Sequence, residues 1–189
     1  MIDYERIIDY FYPEAGMLRD ILYTHSRCVA EYAVAIVDAK PELRADRDFV
    51  YAAAMLHDIG IRECDADGIC CFGHLPYICH GVTGAKMLRE NYSKWFNDAS
   101  DAEPYARVCE RHTGVGLTKQ MITERHLPLP LQDFVPETLE EEIVCYADKF
   151  FSKTRPAERK PLERVLKSLS KFGDENVRKF MAWHEKFVG

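Results

Sequence analysis

The stretch Phe49-Val50-Tyr51-Ala52-Ala53-Ala54-Met55-Leu56-His57-Asp58-Ile59-Gly60 decides how the rest of the chain is read. Its first eight residues form an apolar run that predicts a buried helix. An imidazole and a carboxylate side by side at the end of such a helix are costly to bury unless something engages them. A divalent metal ion would do so, and its other ligands can be sought along the chain.

Outward from this stretch, nearly every periodic segment has helical spacing. Residues 3–12 make a short amphipathic opening with Ile7, Ile8 and Phe11. Residues 17–38 place Leu18, Leu22, Val29, Tyr32, Ala33 and Ile36 toward one buried face. Pro41 and the charged residues 42–48 form a turn before the helix 49–57. Helices are expected again at 81–91 and 101–112, with a shorter one at 118–125, ended by Leu127-Pro128-Leu129-Pro130. Thr138-Leu139-Glu140-Glu141 has the spacing of a capping box and starts a helix running to about Ser152. Helices near 159–171 and 174–187 finish the chain, with Asp174 as N-cap of the last. Residues 61–79 have no sustained period and read as a long ordered loop. The expectation is an all-α bundle in a single domain over residues 1–189. Its motif-bearing core spans about 17–155, and the C-terminal helices 159–188 pack on it.

Composition bounds the function. A chain of 189 residues, 47% apolar and 30% charged, has the makeup of an ordinary globular domain. Apolar runs are too short to span a bilayer and the N-terminus lacks a signal-peptide layout, so a cytoplasmic location without membrane partners is expected. Seven cysteines without a Cys-x-x-Cys pair argue against a disulfide framework. A net charge of −6 argues against a general nucleic-acid binder but leaves room for a small anionic substrate beside a metal. The aromatics Phe172, Phe180, Trp183 and Phe187 read first as core and second as a homodimer surface.

Polar residues on apolar faces carry the rest. His25 shares a face with Leu18, Leu22, Val29 and Ile36; alone, it reads as a core histidine bonded to a carbonyl. Asp148 lies between Val144 and Phe151, and a buried carboxylate must be paired or ligating. His80 opens His80-Gly81-Val82-Thr83-Gly84-Ala85, where two glycines allow close backbone approach. His112 ends the helix carrying Tyr105, Val108 and Cys109. Together His25, His57, Asp58, His80, His112 and Asp148 suffice for one transition-metal site, or for two sharing Asp58.

Other candidates read more plainly. Cys64, Cys70, Cys71, His74 and Cys79 lack the spacing of a zinc knuckle, apart from Cys71 and His74. Their loop reads as a lid in which His74 is a candidate proton donor, and Glu63 and Asp65 read as surface carboxylates. Lys153, Arg155, Arg159 and Lys160 read as a solvated turn at a helix C-terminus rather than as a phosphate site. Nothing recommends His126 or His184 as a ligand.

The order His25, His57-Asp58, Asp148 resembles the signature of the HD-domain superfamily of metal-dependent phosphohydrolases. The flanks His25-Ser26-Arg27-Cys28-Val29, Ala53-Ala54-Met55-Leu56-His57-Asp58-Ile59-Gly60 and Tyr146-Ala147-Asp148-Lys149 match as well, and the similarity covers about residues 17–155. It resembles in particular a small stand-alone His-Asp-Ile-Gly subgroup. The resemblance implies that His25, His57, Asp58 and Asp148 bind one metal, with Asp58 bridging to a second held by His80 and His112. One or two divalent ions are implied, with Mn, Fe, Co, Ni, Zn and Mg not distinguished. It also implies hydrolysis of a small phosphorylated substrate or nucleotide by metal-activated water, with Asp58 at the centre of catalysis. Many members carry Lys directly after His-Asp-Ile-Gly; here Ile61 and then Arg62 follow, so Arg62 is the expected contact to phosphate. The same ligands also resemble those of di-iron HD-type oxygenases such as myo-inositol oxygenase, and a non-catalytic nucleotide-sensing module is the third reading.

Overall fold

Nine α-helices and one small β-sheet make up residues 2–189, the residues described in the computed structural model. α1 (Tyr4–Phe11) starts where the Asp3 carboxylate accepts the Arg6 N–H, and it buries Ile7, Ile8 and Phe11. α2 (Met17–Ala39) is the longest and carries His25 on its buried face. α3 (Arg47–Leu56) begins two residues before the apolar run, because Asp46 caps it by accepting the Phe49 N–H. It ends on His57.

The segment after it is ordered, as expected, but it is not a plain loop. Three short strands, β1 (Cys64–Ala66), β2 (Cys71–Phe72) and β3 (Leu75–Pro76), form a sheet in the order β2-β1-β3. β1 runs antiparallel to β2 and parallel to β3. Strands of two or three residues are too short for an alternating pattern to emerge, so periodicity does not reveal them.

α4 (His80–Glu90) and α5 (Ala99–Arg111) follow, the latter opened by a capping box between Asp98 and Asp101. α6 (Lys119–Glu124) is capped by Thr118. α7 (Leu139–Asp148) has the expected Thr138–Glu141 capping box but stops short of Ser152. α8 (Leu162–Leu169) starts later than residue 159, with Pro161 at the cap position, where its missing N–H costs nothing. α9 (Asp174–Phe187) has Gly173, not Asp174, at the cap position. Gly173 takes φ 113°, a conformation open to glycine, and Asp174 instead adds favourable charge to the first turn.

A continuous apolar core reaches from Ile7 to Phe187 and has α2, α3 and α7 at its centre. The C-terminal helices join it through aromatic rings. Tyr146 of α7 stacks on Phe180 at 4.9 Å and meets Phe187 edge-on at 5.4 Å. Its hydroxyl and His184 Nδ1 lie 2.7 Å apart, which accounts for that histidine. Among the described residues no helix is long and apolar enough to cross a membrane.

Backbone approach at two glycines sets the spacing around the His-Asp-Ile-Gly turn. A Cβ on Gly60 would lie 2.2 Å from the His80 carbonyl oxygen and 2.4 Å from the Gly84 nitrogen. A Cβ on Gly81 would lie 2.5 Å from the Cys109 carbonyl oxygen. The turn, α4 and α5 are therefore packed main chain to main chain. Tyr12 anchors the same turn from the other side, donating to the Ile59 carbonyl at 2.8 Å and accepting the Arg62 N–H at 3.2 Å.

α4 and α5 are also tied by charge. Arg89 on α4 donates to both Glu103 oxygens at 2.8 and 2.7 Å and to both Glu110 oxygens at 2.7 and 3.1 Å. Glu110 is buried, so its carboxylate depends on this partner. Arg89→Met should lower the unfolding free energy by about 2 kcal/mol, less than for a fully buried pair because Arg89 is partly exposed. Urea denaturation measures it, and a change below about 0.5 kcal/mol would mean the pair behaves as an ordinary surface contact.

Candidate metal centre

Five helices deliver six buried side chains to one place. His25 comes from the middle of α2, His57 and Asp58 from the end of α3, and Asp148 from the last residue of α7. His80 and His112 stand at the start of α4 and the end of α5. His25, His57, Asp58 and Asp148 offer ligand atoms that all lie within 4.8 Å of one another, and so do Asp58, His80 and His112. The structure thus brings together every one of the six residues singled out as ligands in the sequence.

Asp58 belongs to both groups, one oxygen to each. Its Oδ2 lies 3.0 Å from His57 Nε2 and 3.1 Å from His25 Nε2. Its Oδ1 lies 3.4 Å from both His80 Nε2 and His112 Nε2. Asp148 Oδ1 closes the first group, 3.0 Å from His25 Nε2 and 3.5 Å from His57 Nε2.

Three of the imidazoles are oriented by one local device. His57 Nδ1 donates to the Ala54 carbonyl at 2.6 Å, His80 Nδ1 to Tyr77 at 2.7 Å and His112 Nδ1 to Cys109 at 2.7 Å. Each acceptor stands three residues earlier, at the end of a helical turn. With Nδ1 committed as donor, Nε2 presents its lone pair in the neutral ring. Burial pushes His80 down to about 3 and holds His112 below the usual imidazole range, so both rings are neutral. Their Nε2 atoms nevertheless face each other at 3.0 Å. Two lone pairs at that distance repel, unless a cation sits between them and Asp58.

The first group points the same way. Burial alone would lower His57, but Asp58 and Asp148 beside it raise it to about 9, so a cation binding at its Nε2 displaces a proton there. Its Nε2 and Asp58 Oδ1 have no hydrogen-bond partner of good geometry, although both are fully buried. Orphaned atoms of this kind, on imidazoles whose other nitrogen bonds a carbonyl, fit a divalent cation with nitrogen and oxygen ligands. Asp58 and Asp148 are held well below the ordinary carboxylate range against the cost of burial, Asp58 by His57 and Lys153 and Asp148 by Lys149. Both are present as carboxylates.

Lys153 was read from the sequence only as part of a solvated basic turn. Its ammonium lies 2.5 Å from Asp58 Oδ2 and 5.8 Å from the centre of the Tyr77 ring. The Asp58 charge outweighs burial and raises its pKa, so it stays charged. Lys149 pairs with Asp148 Oδ2 at 2.6 Å. The basic cluster read as a solvated turn is thus divided: Lys153 enters the site, and Arg159 stacks 3.9 Å over the Tyr32 ring. The only hint of this in the sequence is that Lys153 follows Asp148 by five residues, just beyond the helix end. Arg62 lies elsewhere, 5.5 Å over the Tyr12 ring and 3.2 Å from Glu63. His74 is exposed on the sheet side.

His25, Asp148, Lys149, Lys153 and Tyr77 open onto a cavity of about 690 Å³. Arg62 and His74 are not among its lining residues. Apolar side chains, including Ile78, Leu117, Met121, Leu127 and Phe151, make up much of the wall.

The comparisons with known proteins agree with this geometry. The family model described as HD domain matches residues 22–152. A tRNA (cytidine(56)-2'-O)-methyltransferase of Picrophilus torridus is 35% identical over 72% of this chain, and one of Thermoplasma volcanium is 32% identical over 89% of it. This chain spans only 33% and 42% of those two proteins. The uncharacterized protein MJ0778 of Methanocaldococcus jannaschii is 34% identical over 78% of this chain and 74% of its own length. Among solved structures, the HD domain of the L. monocytogenes phosphodiesterase PgpH aligns over 94% of both chains with a TM-score of 0.53 and 17% identity. The same domain in complex with cyclic-di-AMP aligns over 90% of this chain and 95% of that one, with a TM-score of 0.51 and 16% identity. With the family model covering most of its length and its six ligand-type residues converging on Asp58, this chain belongs to the HD-domain family.

Proposed function

We propose that the chain is a metal-dependent phosphohydrolase for a small phosphate ester. His25, His57, Asp58 and Asp148 hold one divalent cation, and Asp58, His80 and His112 hold a second. The observation that carries this reading is the division of Asp58, whose two oxygens face two separate sets of imidazoles. Divalent cations in such a site acidify water and polarise a phosphoryl oxygen.

The chain's own residues do the rest. Lys153 stands at the junction of cluster and cavity, charged and aligned by Asp58 and Tyr77, where it can neutralise a phosphoryl oxygen. It takes the role expected of Arg62. Because its pKa is raised, it acts by charge and not as a proton donor. Lys149 offsets Asp148, and Thr113 and Ser152 are among the polar residues that line the cavity. Apolar walls exclude water and strengthen these interactions.

Four cations around the cavity favour an anionic ester over the uncharged substrate of an inositol-type oxygenase. A nucleotide is the class that the relatives' names favour: one neighbour is solved with cyclic-di-AMP, and two relatives are named for a tRNA cytidine.

The test is metal analysis of protein purified without a chelating tag, followed by phosphate release from mono- and diesters with Mn, Co, Ni, Fe and Mg. Release should require metal, stop with chelator and fall about 100-fold in Lys153→Met. Undiminished release by metal-free protein would sink the reading.

A further inference from the structure

The cavity holds more positive charge than one phosphate requires. Arg125, Lys149, Lys153 and Lys160 line it, and Asp148 is the only carboxylate among the lining residues. Lys149 and Lys153 are already matched by Asp148 and Asp58. These four groups cancel, so the divalent cations of the metal centre are left to balance the dianion of a single phosphomonoester. Lys160 and Arg125 form no ion pair with a carboxylate among the described residues.

Lys160 is held in place despite that cost. Its N–H donates to the Phe150 carbonyl at 2.7 Å, which fixes it beside the end of α7, and its side chain is half-buried. Burial lowers its pKa; Asp148 opposes this, while Lys149, Arg164 and Lys153 add to it. A half-buried cation without a paired carboxylate and with Lys149, Arg164 and Lys153 nearby is stabilised when a further anion arrives. Arg125, which also lines the cavity, donates to the Phe172 carbonyl at 2.9 Å and lies 5.5 Å over the Phe172 ring, which leaves its remaining N–H groups free of that bond.

These residues also differ in origin from the metal centre. Lys160, Ser168, Leu169, Phe172 and Asn176 line the cavity and lie beyond residue 152, where the HD-domain match ends. The shared part of the chain supplies the cluster, and the C-terminal part supplies a share of the cavity lining.

We infer that the substrate carries a second phosphate group, distinct from the one hydrolysed, and that Lys160 is the residue that selects for it, with Arg125 lining the same cavity. The inference rests on the phosphohydrolase reading of the metal centre. The bond that breaks is the ester bond at the cluster, and the second phosphate stays on the product.

The test uses the metal-loaded full chain with adenosine 5′-monophosphate and adenosine 3′,5′-bisphosphate as probes. Binding is read by calorimetry and turnover by phosphate release. The wild type should bind the bisphosphate about tenfold tighter than the monophosphate. Lys160→Met should erase that preference, chiefly through KM, whereas Lys160→Arg should keep most of it. Lys160→Gln provides a second neutral variant should the methionine impair folding. Equal affinity of the wild type for the two probes, or an equal loss for both in Lys160→Met, would overturn the inference. Phosphate release without any preference defeats the second-phosphate inference alone. A Lys160-dependent preference without release from any ester defeats only the hydrolase reading.

Discussion

Gly60→Ala is expected to break the metal centre without touching a ligand. The new methyl group would meet the His80 carbonyl at 2.2 Å, the Gly84 nitrogen at 2.4 Å and the Gly84 Cα at 2.9 Å. All three are main-chain atoms, so no side-chain rotation relieves the clash, and the turn must part from α4. Overpacking of that kind should cost about 3 kcal/mol or more. It also moves His80 away from Asp58, so the second imidazole group should lose its metal while the His25 group retains part of its own. Denaturation curves and metal stoichiometry read the two effects separately. Gly68→Ala is the control, because nothing lies within 4 Å of its added methyl, and it should be close to neutral. A variant at Gly60 that melts and binds metal like the wild type would show that the turn is free to shift.

Asp58→Asn is the second large effect. The side chain keeps its size but loses the charge that faces four imidazoles and Lys153. An amide can offer only one oxygen, so one of the two groups is left with a nitrogen donor pointing at histidine lone pairs. Metal affinity should fall more than about 100-fold at both groups, beyond the loss seen when a supporting residue is removed. Phosphate release should fall on the order of 1000-fold. Lys153 is left buried without its partner, so the chelated protein should also lose about 3 kcal/mol of stability. Normal metal content in this variant would show that Asp58 is not shared. Turnover lost with metal content intact would place its effect on the substrate instead.

Much of this was legible in the sequence because it is carried by local patterns. The apolar run before His57 specifies α3, the spacing of Leu22, His25 and Val29 specifies the buried face of α2, and Thr138 with Glu141 specifies the start of α7. The six converging side chains were legible because imidazoles and carboxylates on apolar faces stand out. Lys153 was not, because its burial depends on where the chain folds after α7, and a lysine among Arg155, Arg159 and Lys160 carries no mark of its partner. Arg62 illustrates the converse: proximity to His57-Asp58 in sequence does not aim a side chain, and here Tyr12 and Glu63 receive it. The sheet at 64–76 stayed hidden because its strands are shorter than the period that would reveal them.

The three bonds from His57, His80 and His112 to the carbonyls three residues before them have a thermodynamic consequence. Each ring is fixed by its own helical turn before anything binds, so its rotational freedom is spent during folding. A cation entering the centre has little left to order, and its association entropy should come mainly from the release of its hydration water. Any ordering cost then falls on the binding of substrate in the cavity and not on that of the metal.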